Sequence, residues 1–153
     1  MATKRIRPEA ANIKRLGTAL LEAGVIKEQE LDAALSEQKR TGSKLGKVLI
    51  DLGFTSEMEI VHTLANNMGL EYVELQKTTI AAEAIKAVPL KLAEKHLVLP
   101  VNFIDNRLVL AMSDPLDLGA VRDIEFVTGK KVKPVVSTLT EIRRAIQSYY
   151  YKT

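Results

Sequence analysis

Apolar residues up to about Leu70 recur every three or four positions, the spacing that places them on one face of a helix. Polar and charged residues fill the positions between them, so the pattern predicts amphipathic helices that pack together by their apolar faces. The predicted helices are indicated by Ile13, Leu16, Leu20 and Leu21 up to Gly24, by Leu31, Ala34 and Leu35 up to the breaker 41–43, by Leu45, Val48, Leu49 and Leu52 up to Gly53, and by Ile60, Val61 and Leu64 up to Gly69.

The pattern changes after Leu70, where strand-like and helix-like segments alternate. Residues 71–75 alternate like a strand, and Asp105-Asn106 is a favourable tight-turn pair between two apolar runs. The other predicted elements are short helices at 81–88 and 90–96 interrupted by Pro89, hairpin strands at 97–104 and 107–112, a helix at 116–127 stopped by Gly129, a strand at 131–136, and a final helix to about Tyr150 with Thr138 and Glu141 as a capping box.

These elements predict an α+β fold with two lobes. Residues 1–70 are expected to form an all-helical lobe of two tandem helix-turn-helix repeats, at 15–38 and 44–67. Residues 71–153 are expected to form an α/β lobe with a small mixed sheet. No linker rich in glycine, serine or proline separates the two, so we expect the lobes to pack against each other.

The two repeats carry the same amino acid at seven of twenty-four aligned positions. Packing of two helix-turn-helix units explains the shared apolar residues. It does not explain Gly17 and Gly46, because a glycine inside a helix costs about 1 kcal/mol relative to alanine. Each glycine follows a cation by two residues, Arg15 and Lys44, and amides at a helix N-terminus favour an anion. A duplicated site of this kind predicts a ligand with two anionic groups in two equivalent halves.

The first repeat reads Arg-Leu-Gly-x-x-Leu-Leu-x-x-Gly-Val-Ile-x4-Leu-x3-Leu-x2-Gln over residues 15–38, and a five-residue spacer precedes the second copy. This tandem motif resembles the MshEN domain. That family forms the N-terminal domain of type II secretion and type IV pilus assembly ATPases and binds cyclic di-GMP. Residues 99–134, with Ala-Met-x-Asp-Pro-x-Asp and Thr-Gly-x-x-Val segments, resemble its C-terminal lobe. The resemblance covers about residues 13–150 and implies a non-catalytic regulatory domain that works with an ATPase motor, in cis or in trans.

The resemblance also implies a site in which each copy serves one half of the dinucleotide. Leucine side chains and a flat guanidinium can support guanine faces, while backbone and side-chain amides meet phosphates and base edges. The implied ligand-binding residues are Arg15, Leu16, Gly17, Leu31, Leu35 and Gln38 of the first copy, Lys44, Leu45, Gly46, Ile60, Leu64 and Asn67 of the second copy, and Asp114 in the second lobe.

Asp114 has two interpretations. Under the resemblance its carboxylate accepts the two parallel N–H groups on the donor edge of guanine. The alternative is a helix N-cap, because aspartate before proline is common at that position.

The second copy departs from the family pattern at three positions. Lys44 keeps the charge of arginine without its planar surface, Thr55 replaces an aliphatic residue, and Asn67 is one methylene shorter than glutamine. An alternative function therefore remains, in which the nucleotide site is degenerate. The chain would then be a protein-interaction module that docks an assembly ATPase onto an inner-membrane platform protein.

Composition narrows the possible functions further. The net charge of +3 is spread evenly, which argues against nucleic-acid binding, and the absence of cysteine fits a cytoplasmic protein. His62 and His96 have no other ligands at metal-binding spacing, and the chain lacks the G-x-x-x-x-G-K-[ST] motif of an ATPase. We therefore expect no catalysis, no metal, no cofactor besides the ligand cyclic di-GMP, and no insertion into a membrane.

Overall fold

The structure is a computed structural model that describes residues 16–151. The chain forms two compact units that divide between Asn67 and Met68. The first unit is helical, and the second combines helices with a three-stranded sheet. Among the described residues, no helix is both long enough and apolar enough to cross a membrane.

The described part of the first unit consists of two helix-turn-helix pairs. Its helices are α1, described over residues 16–22, α2 at Glu28–Thr41, α3 at Leu45–Asp51 and α4 at Glu57–Met68. Helix α3 packs on α2. The buried apolar side chains of this unit include most of the helix-face positions that the pattern predicted: Ala19, Leu20, Ile26, Ala34, Leu45, Val48, Leu49, Ile60, Val61, Leu64 and Ala65.

The two copies of the repeat end their first helix with the same hydrogen bonds. Gly24 and Gly53 follow α1 and α3 in the left-handed conformation, with φ values of 72° and 79°. In each copy the glycine amide and the next amide bond to carbonyls of the last helical turn, which is the Schellman C-cap. The bonds are Gly24 to Leu21 and Val25 to Leu20 in the first copy, and Gly53 to Ile50 and Phe54 to Leu49 in the second.

The second unit surrounds its sheet with helices. After a 3₁₀ turn at Leu75–Lys77, its elements are α5 at Ala82–Ala87, α6 at Leu90–His96, β1 at Val98–Ile104, β2 at Arg107–Met112, α7 at Leu118–Thr128, β3 at Lys131–Val136 and α8 at Leu139–Tyr150. The core is formed by the buried faces of the strands together with Ala120, Ile124, Ile142 and Ile146 of α7 and α8.

The sheet has the order β1-β2-β3 and is mixed. Strands β1 and β2 are antiparallel and are joined at Asp105 and Asn106, whose φ values of 52° and 62° suit a two-residue hairpin turn. Strand β3 returns through α7 and runs parallel to β2. The mixed sheet with its helices confirms the predicted α+β class. The predicted packing of the two lobes against each other stays a prediction.

The predicted strand at 71–75 is reduced to a single bridge between Tyr72 and Val136. The amide of Val73 donates to the Val136 carbonyl, and the Val136 amide donates to the carbonyl of Glu71. Leu75 already begins the 3₁₀ turn, so the alternating pattern has no room to continue along β3. The predicted strand at 71–75 was therefore too long, because a strand continues only where a neighbouring strand lies alongside it.

Candidate functional site

Each repeat glycine faces an aliphatic side chain of the next helix. A methyl group on Gly17 would lie 3.2 Å from Cδ1 of Leu31, and one on Gly46 would lie 3.5 Å from Cδ1 of Ile60. Leu31 and Ile60 occupy equivalent positions in the two copies. The packing of the repeat therefore uses the space left by the missing side chain at Gly17, whereas at Gly46 a methyl group would make only ordinary contacts.

The two motifs meet at the second glycine. Cδ2 of Leu16, from the first motif, would lie 3.7 Å from a methyl group on Gly46. Both residues are half-buried, so neither is fully enclosed by the protein. The structure thus brings one residue from each motif into one neighbourhood, which a ligand with two equivalent halves requires.

The N-terminus of α3 carries the second motif. Lys44 is the N-cap residue, with extended φ and ψ of −66° and 145°, and its side chain makes no hydrogen bond to cap the helix. The amides of the first helical turn have no partner within the helix. Leu45 is buried at 3% exposure, which anchors this turn against the core. The second motif therefore presents backbone donors at a fixed position.

The predicted apolar contacts differ in exposure between the two copies. In the first copy part of each side chain is exposed and accessible to a ligand. In the second copy the side chains belong to the core and can only support such a surface. The half-buried residues are Leu16, Leu31 and Leu35, and the buried ones are Leu45, Ile60 and Leu64, at 3%, 7% and 4% exposure.

The polar residues of the candidate site also differ between the copies. Gln38 is half-buried near the end of α2, where its carbonyl accepts the amide of Gly42 at 2.7 Å. Its counterpart Asn67 is exposed in α4. Thr55 donates a hydrogen bond of 3.3 Å to Glu59, so it has a role at the start of α4. Arg15 lies outside the described residues.

Asp114 belongs to the turn that precedes α7. Its Oδ1 accepts the amide of Leu116 at 3.1 Å, and its carbonyl accepts the amide of Asp117 at 3.1 Å. The N-cap of α7 is Asp117, whose Oδ1 accepts the amide of Ala120 at 3.1 Å. The alternative interpretation of Asp114 as the helix N-cap is therefore wrong, because the helix begins after Asp117. A contact between Asp114 and the ligand stays a prediction.

His96 is held by a carboxylate. Its Nε2 lies 2.8 Å from Oδ2 of Asp123, and the histidine side chain is only 11% exposed. Lys95 reaches the same carboxylate at 4.0 Å. Within residues 16–151, no group of three or more His, Cys, Asp and Glu side chains is arranged to hold a metal ion.

Two tyrosine hydroxyls of the second unit are weaker acids than an ordinary tyrosine, because their pKa values are raised. Burial, together with hydrogen bonds from the hydroxyl to Glu141, raises the pKa of Tyr72 to about 12. Burial alone raises the pKa of Tyr150 to about 12, and its hydroxyl donates to the Val88 carbonyl at 3.0 Å. Both hydroxyls thus fix the fold, and neither is available as an acid at neutral pH.

Comparison with known proteins identifies the family. The MshEN domain model matches residues 68–153, which is more than half of the chain. This chain belongs to the MshEN domain family. The match lies in the second unit, so the tandem motifs of the first unit remain supported by their resemblance and by the geometry described above.

The relatives of this MshEN domain include a type IV pilus assembly ATPase and a type II secretion system protein. It is 37% identical over 136 residues to the type IV pilus assembly ATPase PilB of Myxococcus xanthus, which covers 89% of this chain. It is 28% identical over 140 residues to the type II secretion system protein E of Xanthomonas campestris, again covering 89% of this chain. The chain spans about a quarter of the length of these two curated relatives, 24% and 25% respectively.

A solved structure of MshE with cdg matches the fold of this MshEN domain. The TM-score is 0.80 at 30% sequence identity, and the match covers 95% of this chain and all of the MshE chain. The likeness therefore extends over both units.

One surface of this MshEN domain was missed by the sequence analysis. Phe126 is 90% exposed and Leu118 is 62% exposed, both on α7. The available signal was the position of Phe126, which falls opposite the buried face formed by Ala120 and Ile124 on the helix.

Proposed function

We propose that this MshEN domain is a regulatory domain, without catalysis of its own, that binds cyclic di-GMP through its two tandem motifs. The observation that carries the proposal is the closeness of the two motifs, since Cδ2 of Leu16 lies 3.7 Å from the position that a methyl group on Gly46 would take. The likeness to MshE with cdg supports the identity of the ligand. The attached or docked motor would belong to a type IV pilus or type II secretion system, in keeping with the relatives.

The chemistry of the site suits a cyclic dinucleotide. Half-buried Leu16, Leu31 and Leu35 offer apolar area to a guanine face. The first-turn amides of α3 and the cation of Lys44 offer donors to a phosphate. We propose that Arg15 stacks its guanidinium on the guanine bound by the first motif, because a planar cation stacks on an aromatic face.

A thermal unfolding experiment tests this proposal. A ligand present at one hundred times its Kd stabilises the folded state by about 2.7 kcal/mol. For a chain of this size that corresponds to a rise in Tm of roughly 5–10 °C. We expect cyclic di-GMP to produce this rise and GTP and GMP to produce none, since neither has two linked guanines.

Two arginine variants make the test specific. Arg15→Ala should abolish most of the rise in Tm. Arg40→Ala is the matched control, because it removes an exposed guanidinium from the same unit, one that pairs only locally with Glu37. An unchanged Tm with cyclic di-GMP at tens of micromolar would reject nucleotide binding. A full rise in Arg15→Ala would reject the proposed role of Arg15.

The second candidate is a domain that docks partners and has lost the nucleotide. The packing of Leu31 on Gly17 favours it, because a methyl group at Gly17 would lie only 3.2 Å from Cδ1 of Leu31 and packing alone then accounts for the first glycine. Such a domain would fold as described, show no response to cyclic di-GMP, and bind an inner-membrane platform protein instead.

A further inference from the structure

Three side chains form a line on the outer face of α7. Leu118, Arg122 and Phe126 are spaced by four residues, so they lie on the same face of the helix, and all three are exposed. We name this line the α7 stripe. Phe126 is 90% exposed, more than any other large apolar side chain among residues 16–151.

The α7 stripe has no role in the core of the second unit. The core side of the helix is formed by Ala120 and Ile124, both fully buried. Gly119 lies beside the stripe, and a methyl group there would meet only Oδ1 of Asp117, at 3.4 Å. The surface next to Leu118 is therefore open to the close approach of another element.

Arg122 supplies a charge between the two apolar side chains. It makes no ion pair with any residue in the described part of the chain. The neighbouring carboxylates are engaged elsewhere: Asp123 with His96, at 2.8 Å, and Glu125 with the amide of Val132, at 2.8 Å. The stripe thus presents a guanidinium available to a carboxylate, which it can bind through two parallel hydrogen bonds.

We propose that the α7 stripe docks an amphipathic helix of another protein or domain, with a carboxylate opposite Arg122 and apolar side chains against Leu118 and Phe126. Four helical residues rise about 6 Å, so a partner helix with apolar residues four before and four after its carboxylate matches the stripe. A protruding aromatic beside an arginine is typical of residues that dominate binding at protein interfaces. The proposal does not depend on nucleotide binding.

Two other occupants fit the surface less well. A second copy of the chain, paired across a twofold axis through the centre of the stripe, would place Arg122 against Arg122, and like charges repel. An anionic membrane would meet the carboxylates of Asp123 and Glu125, which flank the stripe on the same helix. A helix with a single carboxylate opposite Arg122 avoids the pairing of two arginines and brings less negative charge near Asp123 and Glu125 than an anionic membrane would.

A pair of designed peptides tests the proposal. Both are amphipathic helices of about sixteen residues with leucine four positions before and after a central residue, which is glutamate in one and lysine in the other. Each carries a fluorescent label, and its binding to the whole chain is measured by anisotropy. We expect the glutamate peptide to bind at least tenfold more tightly than the lysine peptide.

The variants identify the surface. Arg122→Glu should reverse the preference between the peptides, and Phe126→Ala should lower the affinity for the glutamate peptide at least tenfold. Val127→Ala is the matched control, because Val127 is an exposed apolar residue of α7 that lies off the stripe, and it should change nothing. All three positions are exposed, so circular dichroism and thermal unfolding should match the parent.

Several results would overturn the proposal. They are equal affinities for the two peptides, no measurable binding of either, or binding that does not depend on Phe126. A concentration-dependent dimer that Phe126→Ala abolishes would assign the stripe to a second copy. If the chain sediments with vesicles of phosphatidylcholine and phosphatidylglycerol and Phe126→Ala abolishes this, the α7 stripe contacts a membrane instead.

Discussion

Gly17 and Gly46 occupy the same position in the two repeats but differ in the room around them. A methyl group on Gly46 would make ordinary contacts at 3.5 and 3.7 Å. Alanine is favoured over glycine inside a helix by up to about 1 kcal/mol. We therefore expect Gly46→Ala to leave the free energy of unfolding unchanged or to raise it. Its affinity for cyclic di-GMP should fall at least tenfold, because the methyl group obstructs a phosphate that approaches the backbone amides.

Chemical denaturation and calorimetric titration of the same samples check this expectation, with Gly17→Ala as the control for packing. A methyl group on Gly17 would lie 3.2 and 3.3 Å from the two Cδ atoms of Leu31, so that leucine must move. Gly17→Ala should therefore be less stable than Gly46→Ala. If Gly46→Ala binds the dinucleotide as tightly as the parent, the second glycine has no role in binding.

The bridge between residue 72 and β3 is an element whose stability depends on pH. The hydroxyl of Tyr72 bonds to Glu141 at the start of α8, and its pKa is about 12 in the folded chain against 10.0 for an ordinary tyrosine. Below the lower value both states are protonated, and the stabilisation is fully present. As the pH rises towards 12 the unfolded chain loses its proton first, so the free energy of unfolding falls.

The free energy of unfolding should therefore fall less steeply in Tyr72→Phe than in the parent over this alkaline range. Tyr150, whose pKa is also about 12, accounts for part of the fall that remains, and Tyr72→Phe/Tyr150→Phe should reduce it further. Denaturant unfolding at a series of pH values measures the slopes. Identical slopes in the parent and the double variant would show that neither hydroxyl carries the linkage.

Local signals predicted most of the elements. The strands at 131–136 and 107–112 have the predicted bounds, and the capping box of Thr138 and Glu141 is present, because hairpin and cap residues act within a few positions of themselves. The segment 71–75 was over-extended, since its length depends on a distant partner, Val136. The N-cap of α7 was placed at Asp114 in one interpretation because aspartate before proline is common at N-caps, and only the backbone identifies Asp117.

The candidate site was less predictable than the fold. The sequence indicated the repeat and its glycines, but the cover of Leu31 over Gly17 depends on how two helices meet. The same holds for the burial of Leu64 at 4% while its counterpart Leu35 remains half-buried. Exposure at these positions is a tertiary property, so two copies of one motif acquire different environments.

The proposed site predicts how many ligands one chain binds. The helical unit contains two related motifs, and the structure brings Leu16 of one beside Gly46 of the other. Two independent sites would each bind a ligand, whereas one composite site binds a single ligand with two halves. This chain spans about a quarter of the length of the two curated relatives, so the predicted stoichiometry concerns this domain only.

Isothermal titration of the chain with cyclic di-GMP therefore distinguishes one composite site from two separate sites. We expect saturable binding of one cyclic di-GMP per chain, with no measurable heat from GMP under the same conditions. Binding of two molecules per chain would contradict a single site built from both motifs. The absence of any binding would contradict the proposed function itself.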